Sequence, residues 1–264
     1  MITSTANQQM KHLSALMKKS RERKKEGAFV VEGIKMFREA TKTSVISVYV
    51  SESFLHQNEN RKLLEEYSYE ILQDSVFRAV SDTQTPQGIL AVVRMPKYEL
   101  KNLLKGDKTH LLILDSIQDP GNLGTMVRTG EGAGVTGIIM NRTTVDLFNP
   151  KTIRSTMGSI YRMPYLISDD LPALMERLKE KKVTLYAAHL KGNESYDSFD
   201  YTKASGFLIG NEGNGLSEEV ASKADFYLKI PMEGQVESLN AAVSAALLTY
   251  ECSRQRRKKY ESMV

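Results

Sequence analysis

The chain has 264 residues, 41% of them hydrophobic, and a formal net charge of +4, a size that suits two modest domains or one large one. No apolar run approaches the roughly 18–20 residues of a membrane-spanning helix, and the first ten residues lack the apolar core of a secretory signal. One cysteine cannot form an intramolecular disulfide and there are only four histidines, so we expect a cytoplasmic protein with no membrane partner and no metal site.

The first 98 residues alternate between helical and strand-like patterns. The segment 1–28 is predicted to be helical, with Leu13, Leu16 and Met17 on one side and basic residues on the other. Strands are predicted at 29–32, 45–50, 69–71 and 88–94, and helices at 34–40, 57–67 and 74–80. This alternation favours a compact α/β domain with a partly parallel sheet.

A polar stretch containing Pro and Gly, at 95–107, marks a junction between two domains. We therefore predict one domain at 1–98 and a second at 106–264. The second begins with 109–115, an almost wholly apolar run that is typical of a strand buried on both faces.

The second domain repeats the alternation of strands and helices. Further strands are predicted at 137–140, 163–167, 183–188, 206–210 and 225–230, and helices at 123–132, from 151, at 171–181 and from about Ser238. In the last helix an apolar stripe indicates core or a subunit interface. Its residues are Leu239, Ala242, Val243, Ala246 and Leu247.

Basic residues are concentrated towards both ends of the chain. One cluster contains Lys11, Lys18, Lys19, Arg21, Arg23, Lys24 and Lys25, and the other contains Arg254, Arg256, Arg257, Lys258 and Lys259. Such clusters suit a nucleic-acid phosphate backbone. Either cluster taken alone is as well explained by a solvated helix face.

Three segments rich in glycine and polar residues each follow a predicted strand and lead towards a helix. They span 119–128, 210–216 and 230–240. Glycine lets the backbone approach a ligand closely, while Asn, Glu, Ser and Arg provide hydrogen-bonding groups. Because open α/β sheets bind ligands where their strands end, we expect these segments to form one crevice. The chain has no Rossmann or P-loop motif, which disfavours those nucleotide sites.

Together these segments resemble the SpoU (TrmH) branch of the SPOUT RNA methyltransferases. In chain order the matching stretches are Asn122-x-Gly124-x-x-x-Arg128, Ser155-Thr-Met-Gly158 through Arg162-Met-Pro164, Ile209–Leu216, Ile230-Pro-Met232 and Glu237-Ser-Leu-Asn240. The resemblance covers roughly residues 109–255. The N-terminal stretches Phe29–Gly33 and Thr85–Gly88 are similar to the RNA-binding domain of the same family, which is L30e-like.

The resemblance implies an L30e-like α/β domain followed by a parallel-sheet domain with a deep trefoil knot, which residue patterns alone would not predict. It also implies a homodimer, with the active site near the subunit interface and S-adenosylmethionine as cofactor. The implied reaction is methyl transfer to a ribose 2′-hydroxyl of RNA. Ribosomal RNA is the expected substrate, since an L30e-like domain suits folded RNA, and transfer RNA is the alternative.

The same resemblance identifies candidate site residues. The catalytic candidates are Arg128, Asn122, Glu212, Ser238 and Asn240, and the cofactor-binding candidates are Gly210, Ile230, Met232, Leu239 and Ala188. We expect Arg128 to hold a phosphate and stabilise a developing alkoxide, because guanidinium is a poor proton acceptor. The identity of the proton acceptor stays open, and His110 and His189 are expected to be structural.

Each candidate also has an ordinary structural interpretation. Asn122 suits a turn, and Ser238 and Asn240 suit a helix N-terminus. Two other functions are compatible with the sequence: a non-catalytic RNA-binding factor in ribosome assembly, and a small-molecule methyltransferase. The set of polar site residues argues against the first, and the two basic clusters argue against the second.

Overall fold

The structure, a computed structural model, describes residues 1–261. Its helices are α1 (Gln8–Lys18), α2 (Ser20–Glu26), α3 (Ile34–Glu39), α4 (Asn58–Leu64), α5 (Asp74–Val80), α6 (Leu100–Leu103), α7 (Pro120–Gly132), α8 (Pro150–Thr156), α9 (Leu171–Glu180), α10 (Glu218–Ala221) and α11 (Ala241–Glu261). Its strands are β1 (Ala28–Glu32), β2 (Val45–Ser51), β3 (Tyr69–Leu72), β4 (Ile89–Arg94), β5 (His110–Leu114), β6 (Gly137–Asn141), β7 (Tyr165–Ser168), β8 (Thr184–Ala188), β9 (Glu194–Ser195), β10 (Ser205–Ile209) and β11 (Phe226–Lys229). None of the helices in these residues is both long and apolar enough to cross a bilayer.

The chain divides into two compact units. The first contains Met1–Lys97 together with Asp146–Tyr161, and the second contains Tyr98–Val145 and the chain from Arg162 onwards. The first unit has a four-stranded sheet in the order β1-β4-β2-β3. Strand β4 is antiparallel to β1 and β2, while β2 and β3 are parallel, so the partly parallel sheet expected from the sequence is present.

The N-terminal helical segment is broken into α1 and α2 at Lys19, whose backbone is extended. The Nη1 atom of Arg23 donates to the carbonyl oxygens of Leu16 and Met17, at 2.7 and 2.9 Å. Carbonyl groups in the last turn of a helix lack partners within the helix. Arg23 therefore stabilises the end of α1 and folds α2 back against it.

Arg23 is an internal structural residue, which corrects its place in the predicted basic cluster. Its side chain is 3% exposed, and its Nε and Nη2 atoms donate to Oδ2 of Asp146 at 3.0 and 2.5 Å. A buried guanidinium with a carboxylate partner and two carbonyl partners has few donors left over. Its charge is not available to a nucleic acid.

The segment Asp146–Tyr161 completes the core of the first unit, although the sequence placed it within the predicted second domain. The ring of Phe148 packs on Phe29 with centroids 4.7 Å apart. The Tyr161 hydroxyl donates to the carbonyl oxygen of Met36 at 3.0 Å. Aromatic and hydrogen-bonding contacts therefore secure both ends of this segment on elements that lie more than 100 positions earlier in the sequence.

The second unit is built on a seven-stranded sheet in the order β7-β6-β5-β10-β8-β11-β9. All six strand pairs are parallel, which confirms the predicted α/β architecture. The central strands β5 and β10 are buried along their whole length, as strands with helices on both faces must be. The two-residue strand β9 was not predicted, since two residues carry no periodicity.

A close approach between α6 and β6 leads to a stability prediction. A Cβ atom on Gly137 would lie 2.2 Å from Cγ of Leu103, whose side chain is fully buried. We expect Gly137→Ala to lower the free energy of unfolding by about 1–3 kcal/mol, because the buried leucine must move. Urea denaturation measures the change. Gly234→Ala is the matched control, since a Cβ atom there meets nothing within 4 Å, and equal stability of the two variants would contradict the prediction.

Candidate active site

Glu212 joins two of the three polar segments. It lies in the loop that follows β10, and its carboxylate accepts hydrogen bonds from the backbone N–H groups of Gln118 (3.0 Å) and Asp119 (3.1 Å). The Nδ2 atom of Asn122 donates to the same carboxylate at 3.0 Å. Gln118 and Asp119 lie in the turn between β5 and α7, and Asn122 lies in the first turn of α7. The loop after β10 is thereby attached to the start of α7.

The environment of Glu212 favours its charged form. Partial burial raises the pKa of its carboxyl group, but the hydrogen bonds from Asn122, Gln118 and Asp119 outweigh that effect and bring the pKa below its usual value. A carboxylate with a lowered pKa is ionised at neutral pH and is a weak proton acceptor. Its geometry suits holding neighbouring groups in place better than it suits removing a proton.

Asn122 connects this pair to the third segment. Its Oδ1 atom accepts a hydrogen bond from Nδ2 of Asn240 at 3.0 Å. The Oδ1 atom of Asn240 in turn accepts from the backbone N–H of Ala242 at 2.8 Å and so caps the first turn of α11. Glu212, Asn122 and Asn240 thus form a continuous hydrogen-bonded chain that links segments up to 118 positions apart. The convergence expected from the sequence is present.

The start of the last helix differs from the sequence-based expectation. The apolar stripe predicted a helix from about Ser238, but α11 begins at Ala241. The cap formed by Asn240 fixes this boundary, because its side chain satisfies backbone N–H groups of the first turn. Ser238 therefore lies in the preceding loop.

The glycine-rich loop after β10 closes on itself. The backbone groups of Asn211 and Gly215 exchange two hydrogen bonds of 2.9 Å, and Oδ1 of Asn211 accepts from the N–H of Gly213 at 2.9 Å. A Cβ atom on Gly210 would lie 2.1 Å from the backbone carbon of Gly215. Only glycine fits position 210 in this closed form.

Asp115, which was not among the candidate residues, attaches the chain just after this loop to the end of β5. Its buried Oδ2 accepts from the backbone N–H and the hydroxyl of Ser217, at 2.8 and 2.7 Å. Its Oδ1 accepts from Nδ2 of Asn141 at 2.7 Å. A signal was present in the sequence: a single carboxylate at the end of an otherwise apolar buried strand needs partners there.

A cavity of about 570 Å³ lies beside the glycine-rich loop, a volume typical of small-molecule sites. Seven of the ten candidate residues line it: Ala188, Gly210, Glu212, Ile230, Met232, Ser238 and Leu239. All five cofactor-binding candidates are among them. Asn122 and Asn240 are not in the lining and reach the cavity only through their hydrogen bonds to Glu212 and to each other.

Arg128 stands apart from this cavity. It is exposed on α7 and is not among the residues that line the cavity, and its side chain has no hydrogen bond or ion pair with any residue in 1–261. The structure of one chain therefore assembles nine of the ten candidates around the loop and cavity, and leaves the arginine free in solvent.

The lining also contains two titratable side chains that were not among the candidate site residues. They are His189, for which a structural role was expected, and Glu237. The ring of His189 stacks on Tyr227 with centroids 5.0 Å apart. Burial, together with the charge of Lys191, lowers the pKa of His189, so the imidazole is neutral at pH 7. Within 1–261 there is no group of three or more His, Cys, Asp or Glu side chains that could hold a metal ion.

Comparison with known proteins agrees with this geometry. Residues 109–250 match the model of the SpoU rRNA Methylase family, and residues 7–91 match the MRM3-like substrate binding domain. The chain is 36% identical over 251 residues to the Bacillus subtilis 23S rRNA (guanosine(2553)-2′-O)-methyltransferase RlmP, covering 94% of this chain and 97% of that relative.

Comparison with solved structures identifies the same family. The SpoU methyltransferase AviRb from Streptomyces viridochromogenes, in complex with AdoMet, superposes with a TM-score of 0.87 and 26% identity, over 95% of this chain and 98% of that one. The AdoMet-bound rRNA methyltransferase from Sinorhizobium meliloti has a TM-score of 0.81 and 28% identity, over 96% and 97% of the two chains. The chain therefore belongs to the SpoU rRNA methylase family and is an RNA 2′-O-ribose methyltransferase that uses S-adenosylmethionine.

Proposed function

We propose that the substrate is 23S ribosomal RNA and that the ten candidate residues form the active site. The observation that carries the proposal is the hydrogen-bonded chain of Glu212, Asn122 and Asn240 beside one cavity of ligand size. Support for the substrate comes from RlmP, a 23S rRNA methyltransferase to which almost the whole chain is similar. Transfer RNA is the alternative substrate. A cytoplasmic location, where ribosomal RNA is modified, completes the proposal.

The lining of the cavity fits S-adenosylmethionine. The side chains of Ile230, Met232 and Leu239 offer apolar contact to an adenine ring. The backbone of the glycine-rich loop offers polar groups without side-chain obstruction, and the carboxylate of Glu237 lies in the same lining as a partner for positive charge. When bound, the cofactor supplies an electrophilic methyl group on a positively charged sulfur.

The residues of the chain have two tasks in this proposal. The ribose oxygen must be held in line with the methyl group, and such positioning accounts for a large part of the acceleration in reactions of this kind. Asn122 and Glu212 are positioning residues, since each is fixed by hydrogen bonds on two sides. Arg128, always charged, holds an RNA phosphate and stabilises negative charge as the hydroxyl loses its proton.

We also propose a homodimer and a knotted C-terminal segment. The last helix exposes apolar surface at Val243 and Tyr250, which are 46% and 47% exposed. A second copy of the chain packed on α11 would cover it. Arg128 does not line the cavity of its own chain, which supports an active site that is complete only beside a subunit interface.

Arg128→Ala should abolish methyl transfer to 23S ribosomal RNA and leave affinity for S-adenosylmethionine nearly unchanged, because the arginine lies outside the cofactor cavity. Incorporation of tritiated methyl groups and calorimetry measure the two quantities. Arg177→Ala, which removes an exposed arginine from α9, is the control and should retain activity. Loss of cofactor binding in the Arg128 variant would refute this division of roles.

Asn122→Ala should weaken catalysis by roughly 10-fold, since it removes a hydrogen bond to a charged group. It should also raise the pKa of Glu212, because one of the donors that lower it is lost. If cofactor binding requires ionised Glu212, the cofactor binds at neutral pH and its affinity falls as the pH drops through the pKa of Glu212. The acid limb of cofactor binding should therefore move to higher pH in the variant. Thr125→Ala, on the same helix, is the control and should leave the acid limb where it is in the wild type. An acid limb that is also unchanged in Asn122→Ala would contradict the role of Asn122.

Val243→Asp should convert dimers into monomers, because a carboxylate in an apolar interface would lose its hydration. Sedimentation equilibrium gives the mass directly. Ile46→Asp places the same charge at an exposed apolar position in the first unit and should leave the dimer intact. A wild-type chain that sediments as a monomer would rule out the interface.

A further inference from the structure

A group of free cations surrounds the bend between α1 and α2. We name it the elbow patch, and its members are Lys11, Lys18, Lys19, Arg21, Lys24 and Lys25. All six side chains are exposed, and none has a hydrogen bond or ion pair with any residue in 1–261. Exposed lysines and arginines without partners keep their full charge available to an external anion.

The spacing of these residues concentrates the charge. Arg21, Lys24 and Lys25 are at positions i, i+3 and i+4 of α2 and therefore share one side of that helix. Lys11 and Lys18 are two turns apart on α1 and share a side there. Lys19 lies at the bend itself.

Acidic residues do little to neutralise this surface. The two carboxylates between positions 8 and 26 are Glu22, which is half-buried, and Glu26, whose Oε2 lies 2.7 Å from Nε2 of His12. The six cations thus outnumber the two acids of this stretch. The same stretch contains no Phe, Tyr or Trp, so it has no aromatic side chain on which an RNA base could stack.

Arg23 gives the patch its fixed shape. Its hydrogen bonds to Leu16, Met17 and Asp146 hold the two helices at the bend. The cations of both helices are therefore presented on a rigid element. A preorganised surface loses less conformational entropy when it binds than a mobile basic tail does.

The C-terminal basic cluster is different, because its guanidinium groups have partners within the second unit. Arg256 donates to the carbonyl oxygens of Tyr201, Lys108, Thr109 and Lys203. Arg254 pairs with Glu251 at 2.6 Å, and the side chain of Lys259 lies outside the described part of the structure. Within the described residues of that cluster, Lys258 is exposed without a partner, and Arg257 donates to the neutral hydroxyl of Ser253 at 3.1 Å. The elbow patch gathers more unpaired cations than the C-terminal cluster does.

We propose that the elbow patch binds the phosphate backbone of the ribosomal RNA substrate. The inference rests on the proposed RNA substrate and adds a second contact surface to it. Flexible lysines act as point charges towards phosphates and do not read base edges. The patch therefore contributes affinity and its dependence on salt, while the choice of nucleotide is made elsewhere.

The test compares two triple variants of the full chain. Arg21→Gln, Lys24→Gln and Lys25→Gln remove half of the elbow patch and leave Arg23 in place. Arg177→Gln, Lys181→Gln and Lys182→Gln remove three exposed cations that precede β8, at the amino-terminal edge of the parallel sheet. The probe is unmodified 23S ribosomal RNA transcribed in vitro. Affinity is measured across about 50–200 mM salt, where phosphate contacts dominate.

We expect the elbow triple to bind the RNA roughly 10-fold more weakly than wild type, with the slope of log affinity against log salt reduced by about 2. In methylation assays its KM for RNA should rise while kcat stays the same, because the lost phosphate contacts bind the ground state and the transition state equally. The control triple should match wild type in every measurement. Thermal denaturation should show all three proteins equally folded.

Equal affinity and equal salt dependence for the two triples would overturn the proposal, as would a wild-type chain that binds the RNA without salt dependence. The test is independent of the active-site assignment. If the wild type binds this RNA but does not methylate it, the proposed substrate is wrong, and the salt dependence of the elbow triple still decides the role of the patch.

Discussion

The site depends on one physical constraint: the carboxylate of Glu212 must be satisfied by donors that lie about 90 positions earlier in the chain. Those donors exist only if the turn after β5 and the loop after β10 lie side by side, and this requires β10 to pair with β5. Asn122 then reaches Asn240 and draws in the start of α11. Sheet order and site geometry are thus two aspects of the same arrangement, and neither can be altered alone.

Much of the fold follows from the sequence because its elements carry strong local patterns. The run at 109–115 is apolar throughout, and the structure buries β5 completely. The glycine- and asparagine-rich segments could be placed at one edge of the sheet, because parallel strands all end there. The family resemblance then identified which of their side chains to consider. Seven of the ten candidate residues line one cavity. Asn122 is hydrogen-bonded to Glu212 in that lining, and Asn240 is hydrogen-bonded to Asn122.

What the sequence could not predict depends on contacts between distant residues. Arg23 has the same local pattern as its basic neighbours, and only the position of Asp146 shows that it faces inwards. Asp115 required knowledge of where Ser217 would lie. Arg128 does not line the cavity of its own chain, so local patterns do not predict where its charge is used. Local patterns predict elements; long-range partners decide which polar residues are structural.

The return of Asp146–Tyr161 to the first unit limits which gene fragments could encode that unit intact. The polypeptide passes between the two units at three points, after Lys97, after Val145 and after Tyr161. A gene fragment that stops at the first of these would encode a sheet without Phe148 beside Phe29 and a buried guanidinium without its carboxylate. Recombination at a single point could therefore not transfer this unit intact, because its core needs residues from both sides of the segment Tyr98–Val145.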